Sequence, residues 1–429
     1  MQIHKALVPI LALGVLFGCG GGSHSGSSSV PGTVNVYLGS DSIPGFSSVV
    51  VSVANLEYST DGSSFASMGT FNPNSYDLFQ LQNGNGFGSA GEMITHVILA
   101  PATIKAFRIT WQTTSNPVHA NEGASFVILP AITSNPACTL NMPVTTVVPC
   151  DVEVTSGGTN NVEIMITGAG SIQDTGKTSG TGSNTTPIFS FANATGQAFD
   201  LATTATLKGQ LFSTVTTTQM ALAGVEVYAE ATVDGTMTIV RRSVTDSTGS
   251  FTLDALPSAA TAGYSAAPIY YVVSSAFNST SANFYNPQAS APITANAPTI
   301  YSNEGLSFPT IASPLGGITA TITPASLATE STWLEVSQGL PTPAGQTSVV
   351  QNLIIQSVNA ATNGAATSDT VAVTSLPISI LGTAVPYSVV AQRVTTPKPI
   401  VVPIAPVAAA AQSVNAASPA TAVTFTFKN

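Results

Sequence analysis

Acid–base and nucleophilic chemistry needs an imidazole, a carboxylate pair or an activated nucleophile at usable spacing. Beyond residue 18 this 429-residue chain carries three histidines, His24, His96 and His119. His24 lies in a Gly/Ser stretch, and His119 in a turn-rich loop. His96 is a strand-like position within Ile94-Thr95-His96-Val97-Ile98. Gly86-Phe87-Gly88-Ser89-Ala90-Gly91 comes near a nucleophile elbow, but Phe87 occupies the first glycine's place. Gly176-Lys177-Thr178 has the end of a phosphate loop. Ser171 stands where its first glycine belongs, and no helix follows to supply backbone amides. His96 and His119 lack zinc-ligand spacing. Asp41, Asp61, Asp246 and Asp254 lie in or near loops, where they could offer oxygens to calcium or bond their own backbone as turn formers. Glu226 and Glu230 share one strand face. With apolar residues opposite, they read as solvated rather than as a glycosidase pair. Arg241-Arg242 is the only adjacent basic pair, so there is no basic face for nucleic acid. We expect no catalytic residue, no metal and no cofactor.

The cysteines carry the remaining chemistry. Cys138 and Cys150 flank residues 139–149, and the reading is a structural disulfide closing a hairpin-sized loop in an oxidising compartment. A bridge of that length would stabilise by about 3 kcal/mol. A metal pair or redox thiols are the alternative, although Cys-x-x-Cys spacing and a nearby His are missing. Cys19 differs, because it ends the apolar run Ala6 to Phe17. That run is too short for a membrane span, which needs ~20 residues, and has the length of a signal peptide's apolar segment. Leu16-Phe17-Gly18-Cys19 resembles the bacterial lipobox, with Phe17 larger than usual. The resemblance implies that residues 1–18 are a signal peptide, that the Cys19 thiol receives a diacylglycerol, and that the new amine is acylated. Several chains on one residue anchor firmly, since each buried methylene adds ~0.8 kcal/mol. Gly20 after the cysteine, in place of Asp, follows the outer-membrane sorting pattern. Residues 19–32 read as a flexible Gly/Ser tether.

These residues must be positioned by strands. Removing the signal leaves 429 − 18 = 411 residues, enough for two to four domains. Only 7% are charged, against ~25% in ordinary soluble proteins, so Thr, Ser, Asn and Gly must cover the surface. That composition suits β-structure. Val34, Val36 and Leu38 alternate with polar or aromatic residues; Val49, Val51 and Val53, then Phe107, Ile109 and Trp111, then Val162, Ile164 and Ile166 do the same. The register slips between Val53 and Leu56, which predicts a bulge. Residues 174–186 read as a polar linker, or as a loop from which Ile188–Phe191 returns as a further strand. A second block places Val225, Val227 and Ala229 on one face, and turns at Asp246 to Gly249 before Phe251 and Leu253. A third, about 313–429, alternates at Ile318, Ala320 and Ile322 and closes on Val423, Phe425 and Phe427. Pro397-Lys398-Pro399 and Pro403 to Pro406 suggest an extended polyproline-like stretch, and Ala408–Ala411 a helical turn. No amphipathic helix is apparent. The expected fold is all-β: two or three β-sandwich modules in a row, at 33–199, 200–312 and 313–429, with linkers near 200 and 313.

Two blocks resemble known families. Val34 to Asp41, Val49 to Tyr58 and above all Tyr76-Asp77-Leu78-Phe79-Gln80-Leu81-Gln82-Asn83-Gly84 are similar to the domain of unknown function 4382 of bacterial lipoproteins. Here Gly39-Ser40-Asp41 replaces a common Thr-Asp-Ala-Pro, and the family implies no activity. Gly224-Val225-Glu226-Val227, Val244 to Leu253 and Leu256-Pro257 resemble carboxypeptidase regulatory-like, transthyretin-like sandwiches, whose members are non-catalytic. In this chain Ser258–Pro268 displaces that family's usual closing-strand pattern. Residues 314–429 resemble nothing. The expected role is an envelope lipoprotein, held in the bilayer through acylated Cys19, that scaffolds or adheres to a protein or envelope polymer. A glycan-binding module using Trp333, Tyr37 or Tyr58 is the alternative, and a hydrolase the least favoured.

Overall fold

The computed structural model describes the chain from residue 29 to 426, apart from a set of connecting segments. The longest of these are 84–92, 113–124, 129–136, 275–287, 341–348, 360–367 and 396–406. From residue 303 onward it describes mainly backbone pairing. Cys19, the signal segment, the tether up to residue 28, His119 and the proline-rich stretch lie outside the described residues, as does the Trp333 side chain.

The protein is all-β. Among the described residues there are two short 3₁₀ turns, Gln80–Asn83 and Leu201–Thr203, and no α-helix. The first block contains β1 (Gly32–Ser40), β2 (Ser48–Ser59), β3 (Asn74–Asp77), β4 (Met93–Leu99), β5 (Thr103–Trp111), β6 (Phe126–Ile128), β7 (Cys138–Asn141), β8 (Thr145–Glu153), β9 (Thr159–Thr167), β10 (Gln173–Ser179), β11 (Thr186–Ser190) and β12 (Thr195–Asp200). One sheet runs β12-β9-β1-β4, with β1 and β9 parallel. The facing sheet is built on β2, which pairs with β3 on one side and with β5 and β6 on the other. The alternating apolar residues of the sequence fill the space between the sheets. Val34, Val36, Val49, Val51, Val53, Phe107, Ile109, Val162, Ile164 and Ile166 are all fully buried, and the expected slip appears as a register shift between Val53 and Asn55. The indole N–H of Trp111 donates to Thr146 Oγ1 at 2.7 Å, which satisfies its polar end inside the core.

The second block contains β13 (Thr204–Ser213), β14 (Glu226–Val233), β15 (Thr236–Val244), β16 (Ser250–Pro257), β17 (Ile269–Ser274), β18 (Gln288–Ala289), β19 (Ile293–Thr294) and β20 (Ile300–Phe308). The third contains β21 (Gly316–Thr323), β22 (Glu330–Leu340), β23 (Val349–Asn359), β24 (Asp369–Leu376), β25 (Pro386–Thr395), β26 (Val407–Ala408), β27 (Gln412–Ser413) and β28 (Thr421–Thr426). Ala408 closes a short strand, and residues 409–411 of the expected helical turn lie outside the described residues.

The same wiring occurs three times. In the second block the opening strand β13 lies between parallel β20 and antiparallel β16, while β14 lies between β15 and β17, and β17 carries the short β18 and β19. In the third, β21 lies between parallel β28 and antiparallel β24, β22 between β23 and β25, and β25 carries β26 and β27. The first repeats it with β1 between parallel β9 and antiparallel β4, and with β2 between β3 and β5, which carries β8. The C-terminal block, which resembles nothing in sequence, thus has the connectivity of its neighbour.

Two sequence expectations are corrected. Residues 174–179 are no linker. They form β10, which pairs with β11, and β11 joins β7 in the first sandwich. The Cys138–Cys150 bridge is also absent, and neither cysteine is in a disulfide. β6 continues β5 along the same side of β2, and β7 and β8 flank that composite strand in one direction. The segment between the cysteines is therefore extended and does not turn back. At ~3.3 Å per residue, 150 − 138 = 12 residues separate them by tens of ångströms, whereas a disulfide needs Cα atoms within about 7 Å. Burial, followed by the charge of Asp151, pushes the Cys150 thiol up to about 12. We therefore expect iodoacetamide at pH 8 to label neither cysteine appreciably in the folded protein and both in unreduced protein in urea. A mass showing no labelled thiol after denaturation would restore the bridge.

Candidate functional site

The seam between the first and second sandwiches gathers most of the chain's unusual chemistry. Along β9, Val162, Ile164 and Ile166 point into the core, so Glu163 and Met165 lie on the outer face of that sheet. Both are buried there. Met165 and Phe199 of the first sandwich pack with Ala255 of the second, and Leu201 completes the cluster. At its centre is Arg241, from β15, with a side chain 1% exposed. Its Nη2 donates to Glu163 Oε1 at 2.7 Å and to the Ala255 carbonyl at 3.0 Å; Nη1 donates to the Ser40 carbonyl at 3.1 Å; Nε donates to the Asp254 carbonyl at 3.2 Å. One guanidinium thus binds β1, β9 and β16 together.

Local backbone makes this possible. Gly39 on β1 leaves room for the carboxylate, since a Cβ there would overlap the Glu163 side chain. Ala255, at φ 55°, is the one non-glycine residue at positive φ among those described. That conformation costs an alanine ~1–2 kcal/mol. It occurs near the register shift between β13 and β16, where the Ala255 carbonyl meets Arg241. The neighbouring Arg242 binds Glu226 and stacks over the Phe79 ring of the first sandwich at 4.7 Å. The only adjacent basic pair in the sequence is therefore an inter-module staple.

Beside the staple opens a cleft of ≈ 1040 Å³. Its floor includes Met165, Phe199, Leu256 and Tyr270, and its rim Asp151, Gln197 and Thr232. One wall is the segment Ala262–Pro268, part of the stretch that departs from the regulatory-like pattern. Tyr264 reaches across the seam and donates its hydroxyl to Gln197 Oε1 at 3.1 Å. Burial pushes the Tyr264 phenol upward, so it stays a donor at neutral pH.

The sequence-derived candidates are scattered. Glu226 and Glu230 are not the solvated pair expected: Glu230 is fully buried, and Glu226 is bound to Arg242 and the Tyr228 hydroxyl. The outer face carrying them also holds buried Tyr228, Tyr271 and Val273, and β23 of the third sandwich lies against its strands β15 and β17. Asp61 accepts from the Ser64 and Ser63 backbone amides, and Asp246 from the Thr248 hydroxyl and the Ser250 and Thr248 amides, which hold both carboxyls below the usual range. No group of three metal-ligating side chains occurs among the described residues. His96 is exposed on β4 opposite Asn35. Tyr37 and Tyr58 lie on strands of opposite sheets, so they form no common platform. Sequence reasoning missed the Arg241–Glu163 seam. Its one signal was Gly39-Ser40-Asp41, where the chain departs from the pattern it otherwise resembles.

No family model matches the chain, and no curated protein matches it. Solved structures that align with it include the Bacillus anthracis TIE protein, at 8% identity and TM-score 0.17, covering 93% of this chain. The chain spans about half of that protein's length, 51%. A Streptococcal ancillary pilin aligns at 10% identity and TM-score 0.20, covering 93% of this chain and 99% of that one. A cell adhesion protein from Bacteroides ovatus aligns at 9% identity and TM-score 0.17, covering 52% of this chain and 91% of that one.

The seam yields two expectations. Replacing Arg241 by Met leaves Glu163 buried without its cation, which costs about 3–5 kcal/mol. Replacing both by Met should recover most of that loss, and thermal unfolding of the three variants measures it. The second concerns pH. Burial raises the Glu163 carboxyl above 4.5 against the pull of Arg241. Folded protein then holds this proton more tightly than unfolded protein does, so the contribution is full below 4.5 and is lost as pH rises through the folded value. The stability of wild type relative to Glu163→Gln should therefore decline as pH rises from 4. A difference that grows with pH would show a depressed carboxyl instead.

Proposed function

We propose that this chain is a non-catalytic envelope lipoprotein that displays three like-wired β-sandwiches as a scaffold or adhesion module, anchored through acylated Cys19. The carrying observation is the Arg241 staple. It spends the chain's only adjacent cations on holding two modules in one orientation, as a display scaffold requires and a string of independent beads does not. Two further contacts support a joined body. β23 lies against the second sandwich, and β10 of the first lies against β25 of the third. The near-uncharged surface suits contacts made by neutral hydrogen bonds and apolar anchors, whose strength changes little with salt. The partner is a protein or an envelope polymer, and the location is the outer membrane of a double-membrane bacterium.

Cells fed an alkyne fatty acid should label the wild-type protein and not Cys19→Ala, and the variant should leave the membrane fraction. An unlabelled wild type overturns the anchor. The scaffold is tested separately by small-angle scattering of the soluble chain from residue 20. Its maximum dimension should stay constant in wild type and grow in folded Arg241→Met, and equal profiles would show that the staple does not set the arrangement.

A further inference from the structure

We propose that the cleft between the first and second sandwiches is a binding site for a neutral oligosaccharide. This goes beyond the scaffold reading and does not depend on the anchor. The size comes first: ≈ 1040 Å³ is at the upper end of ligand pockets, about 300–1,000 Å³, and suits several linked rings better than one small molecule.

The wall is the second observation. In the first sandwich the step from β4 to β5 takes three residues, 100–102. In the second, the equivalent step from β16 to β17 takes 258–268. The extra residues are not needed to connect the strands, yet they are folded with care. Ser258 Oγ and Thr261 Oγ1 both donate to the Thr203 carbonyl, at 2.6 and 2.8 Å. The Ala259 N–H donates to Ala295, and the Tyr264 N–H to Thr261. This bonding holds the Tyr264 ring, half-buried, over the seam.

Charge selects the ligand class. Arg241, Asp41 and Asp151 are the charged residues of the lining. Arg241 is sealed by its four acceptors, and Asp151 is paired with Lys105. The lining therefore has no cation to meet a phosphate, sulfate or uronic acid, and burying an unpaired anion there would be costly. It does offer an aromatic ring with a hydroxyl tip, the side-chain amide of Gln197, and the hydroxyls of Thr167, Thr232 and Ser265 above an apolar floor. An apolar face ringed by neutral donors and acceptors complements a sugar ring, which presents C–H faces and hydroxyl edges.

The test is titration calorimetry of the soluble chain from residue 20. The probes are chitohexaose, cellohexaose and maltohexaose, set against hexagalacturonate and a heparin hexasaccharide. We expect at least one neutral probe to bind with Kd below about 1 mM, and Tyr264→Ala to weaken it at least tenfold. Thr232→Trp, at an exposed rim position where folding does not depend on the threonine, should block the mouth and abolish binding. Lys208→Ala, on the outer face of β13, should leave it unchanged. The proposal is overturned if no neutral probe binds, if an anionic probe binds more tightly, or if binding survives in folded Thr232→Trp. Sugar binding by a chain that proves unlipidated would overturn the anchor and leave this site standing.

Discussion

The arrangement of the modules depends on one buried guanidinium. Arg241 has left water entirely, and four protein acceptors replace its hydration. A charge in that position is tolerable only while every partner stays in place, because desolvating an unpaired ion costs several kcal/mol. The partners come from β1, β9 and β16, in two different sandwiches. Any hinge motion at 200–204 must therefore break the Glu163 ion pair and the hydrogen bond to the Ser40 carbonyl at once. Apolar packing alone would hold the modules with less angular precision, since hydrophobic contact is non-directional.

That requirement accounts for features that look like defects when taken singly. A glycine next to the end of β1 weakens strand propensity, yet it gives the Glu163 carboxylate its place. An alanine at positive φ is strained, yet its carbonyl closes the guanidinium's coordination. A glutamate on an outer strand face would normally be solvated; here it is buried, with Oε2 left without a partner, because the second sandwich covers that face. The cleft is a by-product of the same geometry. The two sandwiches meet around the Arg241 staple and leave a cleft beside it, and the segment 262–268 forms one wall.

The threefold repetition of one wiring explains how so weakly charged a chain stays organised. The second and third copies pair their first and last strands in parallel, and the first pairs β1 in parallel with β9 before adding β10, β11 and β12; parallel pairing sets a module's entry and exit at opposite ends, as a row of modules requires. Consecutive copies can then follow with short connections: β12 ends at Asp200 and β13 begins at Thr204. Edges are guarded in part by local chemistry. β8, an edge of the first sandwich, carries Pro149 at its middle, which removes a ladder donor and discourages pairing with another chain.

By itself the sequence determined the all-β class, the inward faces of most strands in the first two blocks, the bulge in β2 and the turn roles of Asp61 and Asp246. Each of these follows from period-two alternation or from a side chain bonding its own backbone, and such information is local. The tertiary structure alone decided what met across distance. Glu163 and Arg241 are 78 residues apart, and no spacing rule couples a strand-face glutamate to an arginine in another module. Cys138 and Cys150 show the converse. Their closeness in sequence suggested a hairpin, but pairing to the composite strand of β5 and β6 stretched the segment between them. The shared fold of the third block was illegible for a related reason. Wiring is a property of which strands hydrogen-bond, and alternating Val, Ala and Thr can satisfy the same wiring with almost no residue in common.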